Sequence, residues 1–394
     1  MLRKVAIVSA HQTKFEEKKA DERFQEMCYP LVRKCLDDTG LVFVPGRGID
    51  FAITCSDDFF DQRTISDGPM GDLVGTGRWG GEEKVACDGA EAIQYAAAGI
   101  ASGHYDIVIV LAHAKESQVD SRNIVTFHAF EPFYTRFLGM DYTQALGLQA
   151  ESYMNKWGVT EKQLAAIAVR AAKNGAKNPN AQRTGSIKVD DVMKSKVVVS
   201  PIKELDLYPV SDGAVCMILA EETKARVLTD KPVWITGYGN CYDSYYLGDR
   251  NLYESTSLPK AAWSAYRIAG IIDPMEEFDI AEISVQATYQ EPLWYEGLGL
   301  AEQGKGMELF ESGKTDMGGK LPVNPSGGQL CGNPLLLSGI VRGAEAFLQL
   351  RGEANGYQVK GAGRALVHGT AGPAGQFHTV LVLENDKAQE GGKS

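Results

Sequence analysis

Seven cysteines occur in the 394-residue chain: Cys28, Cys35, Cys55, Cys87, Cys216, Cys241 and Cys331. One of them has a setting that could do chemistry. Cys87 stands in KVACDGAEAIQYAAAGIASG, where a short strand gives way to an Ala-rich helical pattern. A thiolate at that junction would be stabilised by the N-terminal end of the helix, which lowers a thiol pKa. The small residues that follow leave room for a bulky acyl group. The same setting suits an inert cysteine packed at a strand end, because free cysteines are often small buried hydrophobes.

Two further stretches could complete a site. In NPSGGQLCGNPLLLSG (324–339), Gly–Gly and Asn–Pro pairs mark tight turns before a helix. Ser326, Gly327 and Gly328 could there turn backbone N–H groups toward a ligand or a developing oxyanion, or simply connect two elements. In ALVHGTAGPAG (365–375), His368 ends a strand and a glycine turn containing Gly372 follows. An imidazole there can titrate near neutral pH and move protons, although a lone histidine is more often structural. His378, on the next strand, reads as structural. His11, His104, His113 and His128 form no HxxxH or HxxE pattern, and no CxxC occurs. Neither a metal site nor a disulfide framework is expected.

The elements that must position these groups follow from periodicity. Val5–Val8, Ile49–Thr54, Tyr105–Ala112 and 214–221 read as strands, the third apolar throughout and so buried on both faces. Helices are expected over Asp21–Thr39, after Cys87, and over Tyr142–Lys156 and Glu161–Asn178. A second half follows: strand Val233–Gly237, helix Pro259–Ala269, strand Phe278–Ala287, helix Ser338–Arg351, strands Ala365–Val367 and His378–Leu383. HTVLVLE near the end echoes AVCMILAE at 214–221. This is an α/β pattern of two βαβαβ-type halves, the mark of a duplication. The expected division is 1–229, carrying Cys87 and an inserted region of about 114–200; 230–386; and a flexible polar tail, 387–394. A hydrophobic fraction of 44% and a charged fraction of 23% suit a soluble globular chain. The net charge of -11 argues against nucleic acid as a partner. No run approaches membrane-spanning length, so a cytoplasmic protein is expected.

Together these pieces resemble the thiolases, most closely the branch of the sterol-carrier-protein-X thiolase domain and the archaeal acetoacetyl-CoA thiolases. VAIVSAHQTKF resembles the opening strand, and KVACDGAEAIQYAAAGIASGHYDIVIVLAHAKES the nucleophile segment. LYPVSDGAVCMILA, YEGLGLAEQGKG, NPSGGQLCGNPLLLSG and RGEANGYQVKGAGRALVHGTAG follow in the family's order. The resemblance implies the five-layered α-β-α-β-α thiolase fold, coenzyme A as a substrate, no metal in this chain, and a homodimer. It places Cys87 at the acyl-accepting position. Where the family carries GHP this chain has Gly332-Asn333-Pro334, and Asn333 can donate a hydrogen bond but cannot act as a base. Where the family carries NEAF or HDCF, gapless counting gives Ser284-Val285-Gln286-Ala287, so Gln286 replaces the branch's second cysteine. His368 matches the family's ALxH pattern and is left as the evident titratable partner of Cys87.

Three activities are compatible with these residues. The first is a thiolase that cleaves a β-keto acyl-CoA with CoA through an acyl-Cys87. Here the chain also resembles the thiolase subunit of benzoylsuccinyl-CoA thiolases of anaerobic toluene degradation, which form benzoyl-CoA and succinyl-CoA and pair with a small zinc-binding OB-fold protein. The aromatic residues Phe127, Phe130, Phe133, Tyr134 and Phe137 could line an aryl pocket, a dimer interface or a core. The second is a non-catalytic acyl-CoA-binding or scaffold subunit. The third is a β-ketoacyl synthase, with His368 and Asn333 as its His–Asn pair.

Overall fold

The computed structural model describes residues 2–43, 48–60, 67–75, 80–332 and 335–391. Nine of its strands join one sheet. They are β1 (Val5–Gln12), β2 (Phe51–Cys55), β3 (Gly81–Lys84), β4 (Ile107–Lys115), β5 (Asp212–Glu221), β6 (Val233–Tyr242), β7 (Ile280–Ile283), β8 (Arg364–Ala371) and β9 (Phe377–Glu384). Seven helices matter for the site: α1 (Phe24–Thr39), α2 (Gly89–Ala101), α3 (Tyr142–Trp157), α4 (Glu161–Gly175), α5 (Leu258–Ala269), α6 (Gln290–Gly297) and α7 (Ser338–Arg351).

The strand order is β3-β2-β4-β5-β1-β6-β9-β8-β7. The join between β1 and β6 is thin, with only Ala6 facing Trp234 and Ile7 facing Val233. On either side of it lie two smaller sheets, one from each half of the chain. Side-chain alternation then decides the layers. In β4, Val108, Val110 and Ala112 enter the central core, while Ile107, Ile109 and Leu111 face α1. In the second half, Ala365, Val367, Leu381 and Leu383 enter the same central core, while Leu366, Val380 and Val382 face α5 and α6. Helices α2 and α7 fill the middle with Ala92, Ala96, Ile340 and Ala344 among others. The result is the expected α-β-α-β-α stack. Its central helices must be thin, which explains the alanine and glycine content of α2: a Cβ on Gly89 would lie 2.6 Å from Ile340.

Several expected elements have different bounds. The first helix starts at Phe24, not Asp21, and ends as expected at left-handed Gly40 (φ 66°). The fourth helix stops at Gly175, where a Cβ would strike the Cys331 sulfur at 2.7 Å. The strand expected over Phe278–Ala287 is paired only over Ile280–Ile283. Beyond it the chain leaves the sheet toward the site. The tail was expected to be flexible from 387, but Asp386–Gly391 is helical, and 392–394 lie outside the described residues.

One ion pair ties β7 to α7. Arg342 and Glu282 are both buried and form a salt bridge. The Ser326 hydroxyl donates to Glu282 Oε2 (2.8 Å), its backbone N–H donates to Oε1 (3.1 Å), and Arg342 Nη1 donates to Ser326 Oγ (2.7 Å). Removing one member strands a charge in the interior. Arg342→Met should cost about 3–5 kcal/mol in urea denaturation. Arg342→Met combined with Glu282→Met should recover most of that loss; a double variant as unstable as the single one would contradict this account.

Candidate active site

The N-terminal end of α2 is fixed by Asp88. Its Oδ2 accepts the Ala90 N–H (2.8 Å) and its Oδ1 accepts the Gly339 N–H from α7 (3.1 Å). Two glycines make room for it: a Cβ on Gly339 or on Gly369 of β8 would fall 1.9 Å from Asp88 Oδ2. Burial pushes the Asp88 carboxyl up to about 7, against the pull of the amides from Ala90 and Gly339. Asp88 thus clasps a helix of the first half to a helix and a strand of the second, beside Cys87.

Cys87 itself is half-buried. Burial pushes its thiol far above the usual range, and the Glu91 carboxylate beside it raises it further, both as a charge and as a hydrogen-bond acceptor. Asp88 and Cys55 act in the same direction. The expectation of a thiol acidified by the helix end is therefore corrected: burial, with Glu91 of the first turn and the capping Asp88 beside it, outweighs the helix dipole. Glu91 is held from the other half of the chain. Its Oε1 accepts from the Tyr242 hydroxyl and from Asn240 Nδ2 (3.2 Å), and Gln94 Nε2 donates to Asn240 Oδ1 (3.1 Å).

The remaining expected residues fare differently. Gln286 is buried, and both its amide atoms lack a hydrogen bond of good geometry among the described residues. Its neighbour is the Tyr142 hydroxyl, whose pKa is raised mainly by burial and also by the nearby Cys87. Gln286, Tyr142 and Cys87 therefore share one region. A buried amide with unspent donors and acceptors suits a polar ligand group there. Tyr142 also lines a cleft of about 620 Å³ with Arg122, Arg183 and Tyr208.

His368 lies on the α6 side of β8, the side of Leu366, whereas Gly369 faces Asp88. His368 Nε2 and His378 Nδ1 are 2.9 Å apart, and His378 Nε2 is 3.3 Å from Ser255 Oγ. The Trp294 ring packs edge-on at 5.9 Å from His368. Burial pushes His368 down to about 3, so it stays neutral at physiological pH. The expectation that it titrates near neutrality is corrected, and the charges that act most on the Cys87 thiol are the carboxylates of Glu91 and Asp88. His368 Nδ1 is nevertheless buried without a partner among the described residues, and a neutral imidazole can still exchange a proton there.

The glycine loop is structural in its own right. Ser326 N–H is spent on Glu282, Gly327 N–H on the Asn324 carbonyl (3.0 Å) and Gly328 N–H on Ser326 Oγ (3.2 Å). None of the three is free to hold an oxyanion, which corrects that assignment. Asn333 and Pro334 lie outside the described residues. Leu335, just past them, is anchored through its N–H to buried Glu116 (3.1 Å). Gly372 turns the chain between β8 and β9 at φ 75°. Of the aromatic residues in the inserted region, Phe130 is core, whereas Phe133, Tyr134 and Phe137 are 79%, 66% and 72% exposed. Sequence reasoning passed over Glu91 and Tyr142. Glu91 stands four residues after Cys87, in the first turn of the helix that follows it, a spacing that could have revealed it.

Two family descriptions match: "Thiolase, N-terminal domain" over residues 83–223 and "Thiolase C-terminal domain-like" over 239–385. An acetyl-CoA acetyltransferase of Methanothermobacter thermautotrophicus is 31% identical over 95% of this chain and 98% of its own length. The chain belongs to the thiolase family. It is an acyltransferase. The benzoylsuccinyl-CoA thiolase subunit BbsB of Thauera aromatica is 31% identical over 59% of this chain and 61% of its own length. Among solved structures, the Ltp2-ChsH2(DUF35) aldolase superposes with a TM-score of 0.83 at 22% identity, covering 98% of this chain and 99% of that one. Human mitochondrial 3-ketoacyl-CoA thiolase gives 0.70 at 15% identity, over 97% and 99%. These two likenesses speak to the fold. Among the described residues no helix of this thiolase is long and apolar enough to cross a membrane, and no His/Cys/Asp/Glu cluster could hold a metal ion.

Two outcomes follow from the electrostatics. Asp88 is raised from 3.8 to about 7, so the folded state holds a proton between those values that the unfolded chain releases. Its contribution to stability is full below about pH 4 and is lost as pH rises through 7. The stability difference between the wild type and Asp88→Asn should therefore fall by on the order of 2 kcal/mol between pH 5 and pH 8 in urea titrations. A flat or rising difference would refute the buried-carboxyl assignment. Second, iodoacetamide should label Cys87 in the ligand-free thiolase more slowly than free cysteine at pH 7.5, with a rate that climbs through pH 9. Rapid labelling at neutral pH would show an acidified thiol instead.

Proposed function

We propose that this thiolase cleaves a β-keto acyl-CoA with coenzyme A, with Cys87 carrying the acyl group between two half-reactions. The observation that carries the reading is the placement of Cys87. Its half-buried thiol stands at the start of the central helix, in the same region as Tyr142 and Gln286, and Tyr142 lines a cleft open to the surface. The substrate thioester would enter along that cleft. Its carbonyl would meet the spare amide of Gln286 and the hydroxyl of Tyr142. His368, neutral and bonded to His378, would act at most through its free Nδ1.

For the substrate we favour 2-benzoylsuccinyl-CoA, giving benzoyl-CoA and succinyl-CoA. Support comes from the likeness to BbsB and from this chain's departures from the family pattern at Gln286 and Asn333, which suit a leaving carbanion unlike that of acetoacetyl-CoA. Phe133, Tyr134 and Phe137 are exposed in this chain. A homodimer, and a small zinc-binding OB-fold partner, fit the reading. BbsB is by name a subunit, the aldolase neighbour is by name a pair of proteins, and the exposed aromatic residues offer surface to cover. A cytoplasmic setting would suit CoA chemistry. The alternative of a non-catalytic acyl-CoA-binding subunit draws on one feature, the carboxylate-flanked and therefore protonated Cys87 thiol.

Mass spectrometry separates the two. The protein is incubated with acetoacetyl-CoA or with 2-benzoylsuccinyl-CoA, with and without a co-purifying small partner. An acyl mass on Cys87 that added CoA discharges is expected, and Cys87→Ala should abolish it. Absence of any adduct under all these conditions would leave the binding-subunit reading standing.

A further inference from the structure

Glu91 is an acid in the first turn of α2, and such residues usually have a plain structural use. A carboxylate three residues past the N-cap commonly reaches back to the cap's own N–H, or simply favours the positive end of the helix. Here the capping is done by Asp88, which accepts the Ala90 N–H, and no return bond from Glu91 closes a capping box. The Glu91 carboxylate turns elsewhere. Oε1 is gripped by Tyr242 and Asn240 of β6, residues more than 140 positions away in sequence. Oε2 is buried and has no hydrogen-bond partner among the described residues. The Cys87 thiol stands beside this carboxylate, which acts on it both as a charge and as a hydrogen-bond acceptor.

A half-fixed carboxylate with one free, desolvated oxygen beside a protonated nucleophile is arranged to take a proton. The other expected bases are absent or occupied. Gln286 stands where the related branch has a cysteine, Asn333 stands where it has a histidine, and His368 is committed at Nε2 to His378. We propose that Glu91 is the general base of this enzyme, taking the Cys87 proton in acylation and the coenzyme A proton in deacylation. The proposal rests on the thiolase reading above and names the proton carrier for it.

The proton count closes with no further reactant. In acylation the Cys87 sulfur bonds to the β-carbonyl carbon while its proton passes to Glu91 Oε2 and the carbonyl electron pair moves onto oxygen. Collapse of that adduct breaks the Cα–Cβ bond. The released electron pair stays on the α-carbon of the departing acyl-CoA, which takes the proton from Glu91. In deacylation the CoA sulfur bonds to the acyl carbon as its proton moves to Glu91. The Cys87 sulfur leaves with the C–S electron pair and recovers that proton. Glu91 ends each half-reaction as a carboxylate. The high ground-state pKa of the Cys87 thiol agrees with this scheme, since a proton kept on sulfur until attack needs an acceptor at hand.

The test uses the full-length protein and its Cys87 adduct. Glu91→Gln, Glu91→Asp and Tyr242→Phe are compared with the wild type in CoA-dependent turnover and in the rate of adduct formation. Their Cys87 alkylation by iodoacetamide is followed between pH 6 and pH 10. Glu91→Gln should lower turnover by about 100-fold or more. It should at the same time speed alkylation at pH 8, because removing the carboxylate makes the thiol more acidic. Glu91→Asp should restore part of the turnover, and Tyr242→Phe should shift the pH at which turnover reaches half its maximum. Turnover of Glu91→Gln within about threefold of the wild type would overturn the proposal. So would a parallel loss of turnover and alkylation with a lowered melting temperature, which would mark Glu91 as a packing residue. A wild type that forms no adduct with either thioester would overturn the thiolase reading itself, and with it the role of Glu91.

Discussion

A single buried carboxylate holds the two halves of this protein in working relation. Asp88 caps the central helix α2 and reaches across to the first amides of α7. It does so in a space that exists only because Gly339 and Gly369 have no side chains. The sheet cannot supply this connection, since β1 and β6 share only two residue pairs. The registration of Cys87, from the first half, against β6, β8 and α7, from the second, therefore depends on a group that is costly to bury. The cost is offset by two amide hydrogen bonds and shows in a carboxyl that is neutral up to about pH 7. An alanine at either glycine would drive a methyl group into that carboxylate.

The same crowding sets the chemistry of the thiol. Many nucleophilic cysteines are acidified by a cation or by a helix end. Here the helix end is present, but the sulfur is desolvated, and the capping Asp88 and the first-turn Glu91 add to that. The thiol then rests as S–H, and reactivity must come from a base in place rather than from a stored thiolate. This arrangement protects the sulfur from adventitious oxidation and alkylation between turnovers, because the thiolate is the reactive form.

Much of the scaffold was legible in the sequence, for physical reasons that differ by element. The helix α7 was read to both ends because Gly352 follows it directly and its apolar residues recur at helical spacing. The strand β4 was read from an unbroken apolar run that only a strand buried on both faces tolerates. The strand β7 was overestimated because apolar residues continue past Ile283. On its outer edge Asn324 takes the Ile283 N–H at 2.8 Å from a loop 41 residues away, and the last bond to β8 runs from the Ser284 N–H to the His368 carbonyl. Cys87 stood out by its local context. Glu91, Tyr142 and the commitment of the Ser326 amide did not, because the groups that hold Glu91 and Ser326 lie 44 to 151 residues off and follow no local period.

The fate of His368 shows why a matched motif does not carry its chemistry with it. The residue keeps its place in the ALxH pattern, yet alternation along β8 turns its ring to the outer face with Leu366, toward Trp294 and His378. In that apolar setting protonation would bury a cation with no counter-charge beside it, so the imidazole is held neutral. Gly369, one residue on, faces inward to Asp88 because only a glycine fits. The inward-facing residue of β8 beside Asp88 thus has no side-chain chemistry, and in the proposed scheme the proton traffic shifts to the helix that follows Cys87. A first-turn carboxylate, steadied by Tyr242 and Asn240 from the opposite half, is the kind of group that such a shift leaves in charge.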